Sequence, residues 1–132
     1  MIKPFAEACE QNKQPILAVL QSQFADCQTI LEIGSGTGQH AIFFAAQMPH
    51  LYWQPSDVAG NLPGIRLWLD EADSDNLAEP LLLDMLQPDW PRQTFDGVFS
   101  ANTVHIMGWP AVEALFAGVG RVLRPGGRFC LY

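Results

Sequence analysis

The sequence predicts an α/β fold in which one parallel sheet carries helices on both faces. Short apolar runs alternate along the chain with longer segments whose apolar residues recur at helical spacing. A polar residue ends or follows each of the first four apolar runs, and the carboxyl ends of parallel strands share one edge of a sheet. We therefore expect a ligand site at that edge, on a single domain of 132 residues.

Helices are predicted where apolar residues recur every three or four positions. Pro15 lies near the start of the first helix, where proline is tolerated, and Pro49 ends the second. We divide the domain into an N-terminal helical part, residues 1–27, and a core, residues 28–132. The four predicted helices cover residues 12–24, 38–48, 61–72 and 110–123.

Strands are predicted between these helices, with right-handed crossovers joining them. Pro55 has no N–H group to donate, so it should limit pairing near the end of the second strand. The last strand reaches the final residue, and we expect its open apolar edge to be covered by further chain or by a second copy of the protein. The five predicted strands cover residues 29–33, 51–57, 80–84, 95–101 and 128–132.

The composition argues against several classes of function. Fourteen acidic residues face seven basic ones, giving a formal net charge of −7, so a nucleic-acid partner is not expected. The chain has neither an apolar run of membrane-spanning length nor a secretory signal, and we expect a cytoplasmic protein with no membrane contact. The cysteines, Cys9, Cys27 and Cys130, form no CxxC pair, and we expect free thiols and no metal site.

The segment LEIGSGTG, residues 31–38, carries the most informative motif. Its glycines, Gly34, Gly36 and Gly38, have GxGxG spacing, which differs from the dinucleotide-binding pattern GxGxxG. The GK[ST] ending of a P-loop is also missing. Glu32 lies two residues before the first glycine, where its charge would repel a phosphate. These observations favour a ligand without phosphate.

This stretch resembles the first motif of the class I S-adenosylmethionine-dependent methyltransferases, an acidic residue and one further residue before G-x-G-x-G. The resemblance implies a Rossmann-like, doubly wound domain that binds S-adenosylmethionine. That cofactor carries an ammonium and a sulfonium cation and no phosphate, so a carboxylate beside the loop favours it. The resemblance assigns to cofactor binding, within this motif, Glu32, Gly34, Ser35, Gly36 and Gly38.

The resemblance also assigns residues along the sheet edge. It implies that Asp57 accepts hydrogen bonds from the ribose hydroxyl groups and that Asp84 holds the adenine amino group. Met85 would then lie against the adenine ring, with Asn102 at the edge of the cofactor. These four residues complete the predicted cofactor site.

The resemblance covers residues 28–132 and includes FDGV at 95–98 and VLRPGG at 122–127. The stretches QPSD, LLLD and SANTVHIM are most similar to a methyltransferase-like subfamily, a domain of unknown function. In the wider family an antiparallel strand hairpin follows the fifth strand, and this chain ends before it. We therefore expect a C-terminally truncated domain that lacks part of the acceptor side.

The resemblance implies that the protein transfers the methyl group of S-adenosylmethionine to an acceptor, and we expect a small molecule. His105 follows the fourth strand closely, where the family often places acceptor-side groups, and it is the candidate general base. Two alternatives stay open: a module that holds the cofactor without catalysis, and a nicotinamide-dependent oxidoreductase.

Overall fold

The computed structural model describes residues 2–132 and has the predicted α/β architecture. No helix in this part of the chain is long and apolar enough to cross a membrane. Two 3₁₀ turns, at Ala59–Asn61 and Val104–Ile106, accompany the regular elements. In chain order these elements are α1 (Glu7–Gln23), β1 (Thr29–Glu32), α2 (Gln39–Gln47), β2 (Tyr52–Gln54), β3 (Ser56–Asp57), α3 (Leu62–Glu71), β4 (Leu81–Leu82), β5 (Phe95–Ser100), α4 (Trp109–Val122) and β6 (Leu123–Leu131).

The strands pair in parallel, as the alternation of strands and helices predicts. Across the four-stranded sheet the order is β2-β1-β5-β6, and β3 forms a separate parallel pair with β4. Pro55 separates β2 from β3, since its ring nitrogen cannot donate a hydrogen bond to a neighbouring strand. The predicted second strand is therefore two short strands.

Helices cover both faces of the sheet, which confirms the predicted fold class. Ile30 of β1 and Phe99 of β5 belong to one buried cluster, together with residues of α1 and α2. Leu31 and Val98, their neighbours along the same strands, belong to a second cluster, which includes residues of α4. Consecutive strand residues point to opposite faces, so each strand contributes to two cores.

The first helix differs from its prediction. α1 begins at Glu7 rather than at residue 12, and Pro15 consequently lies inside the helix instead of near its start. Proline inside a helix removes one backbone hydrogen bond. Three buried side chains that follow it, Ile16, Leu17 and Leu20, pack in the first core cluster and offset that loss.

The last strand also differs from its prediction. β6 begins at Leu123 and includes residues 124–127, which precede the predicted strand of residues 128–132. The pairing with β5 shifts register between Phe95 and Gly97, so the extra residues form an irregularity within the strand. β6 lies at one edge of the four-stranded sheet, and what covers this edge stays a prediction.

Gly118 sets the approach of α4 to the loop before β5. A Cβ atom at this position would lie 1.8 Å from Cε2 of Trp90, whose side chain is buried in the second core cluster. Only a residue without a side chain allows the indole to pack so close to the helix. Gly120 lies on the same helix, and a Cβ atom there would meet nothing within 4 Å.

We expect Gly118→Ala to lower the free energy of unfolding by about 1–3 kcal/mol, because the new methyl group collides with the Trp90 indole. Gly120→Ala is the matched control and should raise the free energy of unfolding by roughly 0.5–1 kcal/mol through helix propensity. Urea denaturation of both variants measures the two effects. Equal effects would contradict the packing of Trp90 on α4.

Candidate functional site

Two adjoining cavities lie at the carboxyl ends of the strands. We call them the loop cavity, of about 370 Å³, and the apolar cavity, of about 410 Å³. Together they form one cleft, which we call the strand-end cleft, of a size typical for small-molecule sites. Five residues line both cavities: Gly34, Asp57, Asn61, Thr103 and Ile106.

The loop of residues 33–38, between β1 and α2, forms one wall of the cleft. Gly34, Gly36 and Gly38 have φ angles of 73°, 61° and 98°, a region that side chains disfavour. A Cβ atom at Gly34 would lie 2.5 Å from Thr103 Oγ1, whereas one at Gly36 would meet nothing within 4 Å. Gly34 thus allows close packing within the protein, and Gly36 presents its backbone to open space.

Gly38 performs a different task from Gly36, since it packs the loop against α3. A Cβ atom at Gly38 would lie 3.2 Å from the Ile65 Cα atom and 3.3 Å from the Trp68 Cβ atom. Gly38 does not line the strand-end cleft. The three glycines of the motif therefore serve two different purposes, packing and access.

Asp57 joins the end of β3 to this loop. Its Oδ2 atom accepts a hydrogen bond of 2.7 Å from the Gly36 N–H group, and its Oδ1 atom accepts one of 2.7 Å from the Val58 N–H group. The residue is buried but lines both cavities. Each carboxylate oxygen has a second lone pair, so the group can still accept hydrogen bonds from a ligand.

Glu32 lies beneath the loop and does not line either cavity. Its Oε1 atom accepts hydrogen bonds from the Ser35 hydroxyl at 2.8 Å and from Trp53 Nε1 at 3.1 Å. Burial raises the pKa of Glu32 to about 7; the two hydrogen bonds oppose this rise, and the charge of Asp57 adds to it. The carboxyl group holds the loop from below.

The other residues predicted from the sequence surround the same cleft. Asp84 and Met85 line the apolar cavity, and Asp84 Oδ1 accepts a hydrogen bond of 2.9 Å from the Leu86 N–H group. Ser35, which also donates a hydrogen bond to Glu32, lines the loop cavity together with Asn102 and His105. Except for Glu32 and Gly38, every predicted site residue therefore lies on the wall of the strand-end cleft.

Asn102 and His105 follow β5 in a connection of unusual backbone geometry. Asn102 has a φ angle of 58°, in the left-handed region that asparagine tolerates better than most residues. Its N–H group donates a hydrogen bond of 3.1 Å to the Tyr132 carbonyl oxygen. His105 is exposed on the 3₁₀ turn Val104–Ile106, so its imidazole is accessible from the loop cavity.

The sequence prediction missed the N-terminal wall of the loop cavity. Ala6, Ala8 and Cys9 line this cavity, and so does His40 of α2. His40 is 4% exposed, its Nε2 atom lies 2.9 Å from Asn12 Oδ1, and burial lowers its pKa. The sequence signal for this wall is the polar pair Gln39 and His40 at the start of α2. This pair does not by itself identify its partners in α1.

The arrangement offers backbone N–H groups, carboxylates and an apolar surface, but no cation. Neither cavity is lined by a lysine or arginine of the described chain. Within residues 2–132, no group of three or more His, Cys, Asp or Glu side chains is placed to hold a metal ion. The cleft is therefore suited to an elongated ligand with hydroxyl groups, an apolar end and a positive charge.

A protein family described as "Protein of unknown function (DUF938)" matches residues 3–132. The chain belongs to this family. The match includes the loop, the strand ends and the N-terminal residues that line the cleft.

Curated relatives of this family member include two methyltransferases. Sterol 24-C-methyltransferase of Pneumocystis carinii is 23% identical over 133 residues, which cover 97% of this chain and 33% of the relative. Phosphoethanolamine N-methyltransferase 2 of Caenorhabditis elegans is 30% identical over 106 residues, which cover 80% of this chain and 23% of the relative. The chain thus spans a third or less of these relatives.

Solved structures show the same fold. The S-adenosylmethionine-dependent methyltransferase SibL, in its apo form, has a TM-score of 0.83 at 22% identity, covering 94% of this chain and 36% of SibL. The glycopeptide N-methyltransferase MtfA, complexed with sinefungin, has a TM-score of 0.77 at 20% identity, covering 88% of this chain and 47% of MtfA. An O-methyltransferase family protein from Burkholderia thailandensis has a TM-score of 0.78 at 18% identity, with coverages of 95% and 39%. The chain therefore has the Rossmann-like methyltransferase fold.

Glu32 should make the stability of the protein depend on pH. The folded chain raises the pKa of Glu32 from 4.5 to about 7, so folding favours the protonated form. The resulting stabilisation is complete below the unfolded pKa and is lost as the pH rises through the folded pKa. Glu32→Gln removes the titrating group and should gain on the order of 3 kcal/mol relative to the native chain between about pH 4.5 and about pH 8.

Urea denaturation at several pH values measures this difference between the two proteins. Glu113→Gln, at an exposed position of α4, is the control and should follow the native profile. A constant difference between Glu32→Gln and the native chain across the range would show that Glu32 does not titrate there.

Proposed function

We propose that the chain binds S-adenosylmethionine in the strand-end cleft and transfers its methyl group to an acceptor. The observation that supports this proposal most strongly is the position of Asp57, which lies where the loop cavity meets the apolar cavity. S-adenosylmethionine consists of an amino-acid part, a ribose and an adenine in series. The loop cavity, Asp57 and the apolar cavity follow one another in the same order.

The residues of the cleft fit the three parts of the cofactor. Gly36 leaves room for close approach of a ligand to the loop, and Ser35 and Asn102 line the same cavity. Asp57 can accept hydrogen bonds from ribose hydroxyl groups. Met85 offers an apolar surface to the adenine ring. These contacts support the assignment of the amino-acid part to the loop cavity and of the adenine to the apolar cavity.

Two carboxyl groups add charge complementarity to this fit. Asp84 lines the apolar cavity, where its carboxylate can accept a hydrogen bond from the adenine amino group. Glu32 lies behind the loop, and a positive charge in the loop cavity would favour its ionised form. The absence of lining lysines and arginines within the described chain favours a ligand without phosphate over a dinucleotide.

The chemistry requires little of the protein beyond positioning. The cofactor supplies a methyl group that is already activated by the sulfonium. The cleft residues would hold the cofactor and the acceptor close together and correctly oriented. An acceptor that carries a proton on its attacking atom also needs a base to receive that proton. We propose that His105 is this base, since it is accessible from the loop cavity.

We further propose a small molecule as acceptor and the cytoplasm as location. The chain has a formal net charge of −7, which disfavours nucleic acid as the acceptor. Cys9, Cys27 and Cys130 are all free, as in proteins of reducing compartments.

Isothermal titration with S-adenosylmethionine, S-adenosylhomocysteine and NAD tests the proposal. We expect binding of the first two in the micromolar range, about −8 kcal/mol, and no binding of NAD. Binding of NAD alone would overturn the proposal in favour of an oxidoreductase. Cofactor binding without S-adenosylhomocysteine production, over a panel of small amines, alcohols, thiols and acids, would favour a binding module.

Asp57→Ala should weaken binding of S-adenosylhomocysteine by about tenfold or more, because it removes charge-assisted hydrogen bonds to the ribose and to Gly36. Asp75→Ala, at an exposed position after α3, is the matched control and should bind like the native chain. Titration calorimetry gives both affinities, and circular dichroism checks that each variant is folded. An unchanged affinity in Asp57→Ala would contradict its assigned role.

His105→Gln should leave the affinity for S-adenosylhomocysteine within about twofold of the native value. With an acceptor that must lose a proton, we expect the transfer rate to fall by about 100-fold. His50→Gln is the control, because His50 contacts the Phe24 carbonyl oxygen and lines neither cavity. Equal rates for the two variants would remove His105 from the mechanism.

A further inference from the structure

Gln39, the first residue of α2, is a buried polar side chain that joins three parts of the chain. It is 3% exposed. Its Oε1 atom accepts hydrogen bonds from the Thr37 hydroxyl at 2.8 Å and from the Ala6 N–H group at 2.6 Å. Its Nε2 atom donates a hydrogen bond of 3.0 Å to Glu10 Oε2. One amide therefore connects the glycine loop with α1 and with the residue before it. We call residues 2–9, which include the first residues of α1, the N-terminal segment.

The N-terminal segment is attached to α3 at its other end. The Pro4 carbonyl oxygen accepts a hydrogen bond of 2.6 Å from Trp68 Nε1. The Pro4 ring lies over Gly64, where a Cβ atom would come within 2.7 Å of Pro4 Cγ. Lys3 lies over the Trp68 ring, 3.6 Å from its centroid, and forms an ion pair with Glu71. The segment is therefore held at two points, by α3 and by Gln39.

The C-terminal end of this segment borders the strand-end cleft. Ala6, Ala8 and Cys9 line the loop cavity, and so does Gly36. Thr37, which donates to Gln39, lines the same cavity. A change at Gln39 would consequently reach both walls of the loop cavity, the glycine loop and the N-terminal segment.

We propose that Gln39 is a positioning residue that couples the glycine loop to the N-terminal segment and thereby retains the cofactor in the loop cavity. This inference rests on the proposed function. Loss of the Gln39 amide leaves the half-buried Ala6 N–H group without its acceptor and releases the segment from α2. The segment stays attached to α3, so the expected effect is faster escape of the ligand rather than unfolding.

Stopped-flow displacement of S-adenosylhomocysteine measures the dissociation rate. We expect Gln39→Ala to dissociate about tenfold faster than the native chain, as the loss of hydrogen bonds to a buried group implies. Amide hydrogen exchange in residues 2–9 should increase in the same variant without ligand. Gln47→Ala, at the exposed end of α2, is the matched control and should change neither quantity.

A double variant that exchanges the amide of Gln39 with the carboxylate of Glu10 distinguishes a positioning role of Gln39 from simple packing. Gln39→Glu alone places a carboxylate against Glu10 and should accelerate dissociation by about tenfold. The double variant Gln39→Glu, Glu10→Gln restores an amide donor opposite a carboxylate and should return the rate to within about threefold of the native value. Glu10→Gln also removes the exposed ion pair with Lys13, whose contribution is small.

The outcomes distinguish this inference from the proposed function. Absence of S-adenosylhomocysteine binding by the native chain would overturn both. Native binding with an unchanged dissociation rate in Gln39→Ala would overturn the coupling alone. Failure of the double variant to recover would show that Gln39 acts by packing, which also overturns the coupling.

Discussion

The parallel pairing of β1 with two neighbours is the constraint on which the site depends. Leu31 of β1 lies opposite Gln54 of β2 on one side and opposite Val98 of β5 on the other. Three residues beyond Leu31 the chain reaches Gly34, three beyond Gln54 it reaches Asp57, and four beyond Val98 it reaches Asn102. The register of one strand thus brings three distant segments to one edge of the sheet. Without this register, Asp57 would not reach the glycine loop, and Asn102 would not reach the wall of the cleft.

A polar cluster beneath the glycine loop makes this edge stable. Ser35 donates to Glu32 and accepts a hydrogen bond of 3.1 Å from the Ser56 N–H group, so its hydroxyl connects the loop to β3. The Ser56 hydroxyl in turn donates to the Glu32 carbonyl oxygen. Burying these groups is costly unless each finds a partner. In the described part of the chain, every buried side-chain nitrogen or oxygen has one.

Local patterns in the sequence predict the fold and the cleft wall, because they depend on strand ends. Asp57 and Asp84 follow short apolar runs, and the parallel pairing of β3 with β4 brings the ends of these runs close together. The position of Glu32 could not be predicted in the same way. Its charge suggested contact with the ligand, but its side chain lies under the loop because Trp53, in another strand, donates to it. No periodicity in the sequence links those two residues.

The N-terminal wall was unpredictable for a related reason. Ala6 binds the side chain of Gln39, 33 positions away, and His40 binds Asn12, 28 positions away. Both contacts depend on how α1 packs across α2, which side-chain shape determines. The early start of α1, at Glu7, is part of the same packing, since it brings residues before the apolar stripe to the cleft. Helical periodicity does not predict the start of α1 or these two contacts, because both depend on tertiary packing.

Under the proposed function, the carboxyl groups around the strand-end cleft affect the exchange of product for fresh cofactor. Asp57 and Asp84 line the cleft, Glu32 lies behind it, and no lysine or arginine of the described chain lines it. S-adenosylmethionine carries a positive charge on sulfur, whereas S-adenosylhomocysteine has a neutral thioether there. A negative environment attracts the former more strongly than the latter. The electrostatics of the cleft would then favour exchange of spent cofactor for fresh cofactor and limit inhibition by the product.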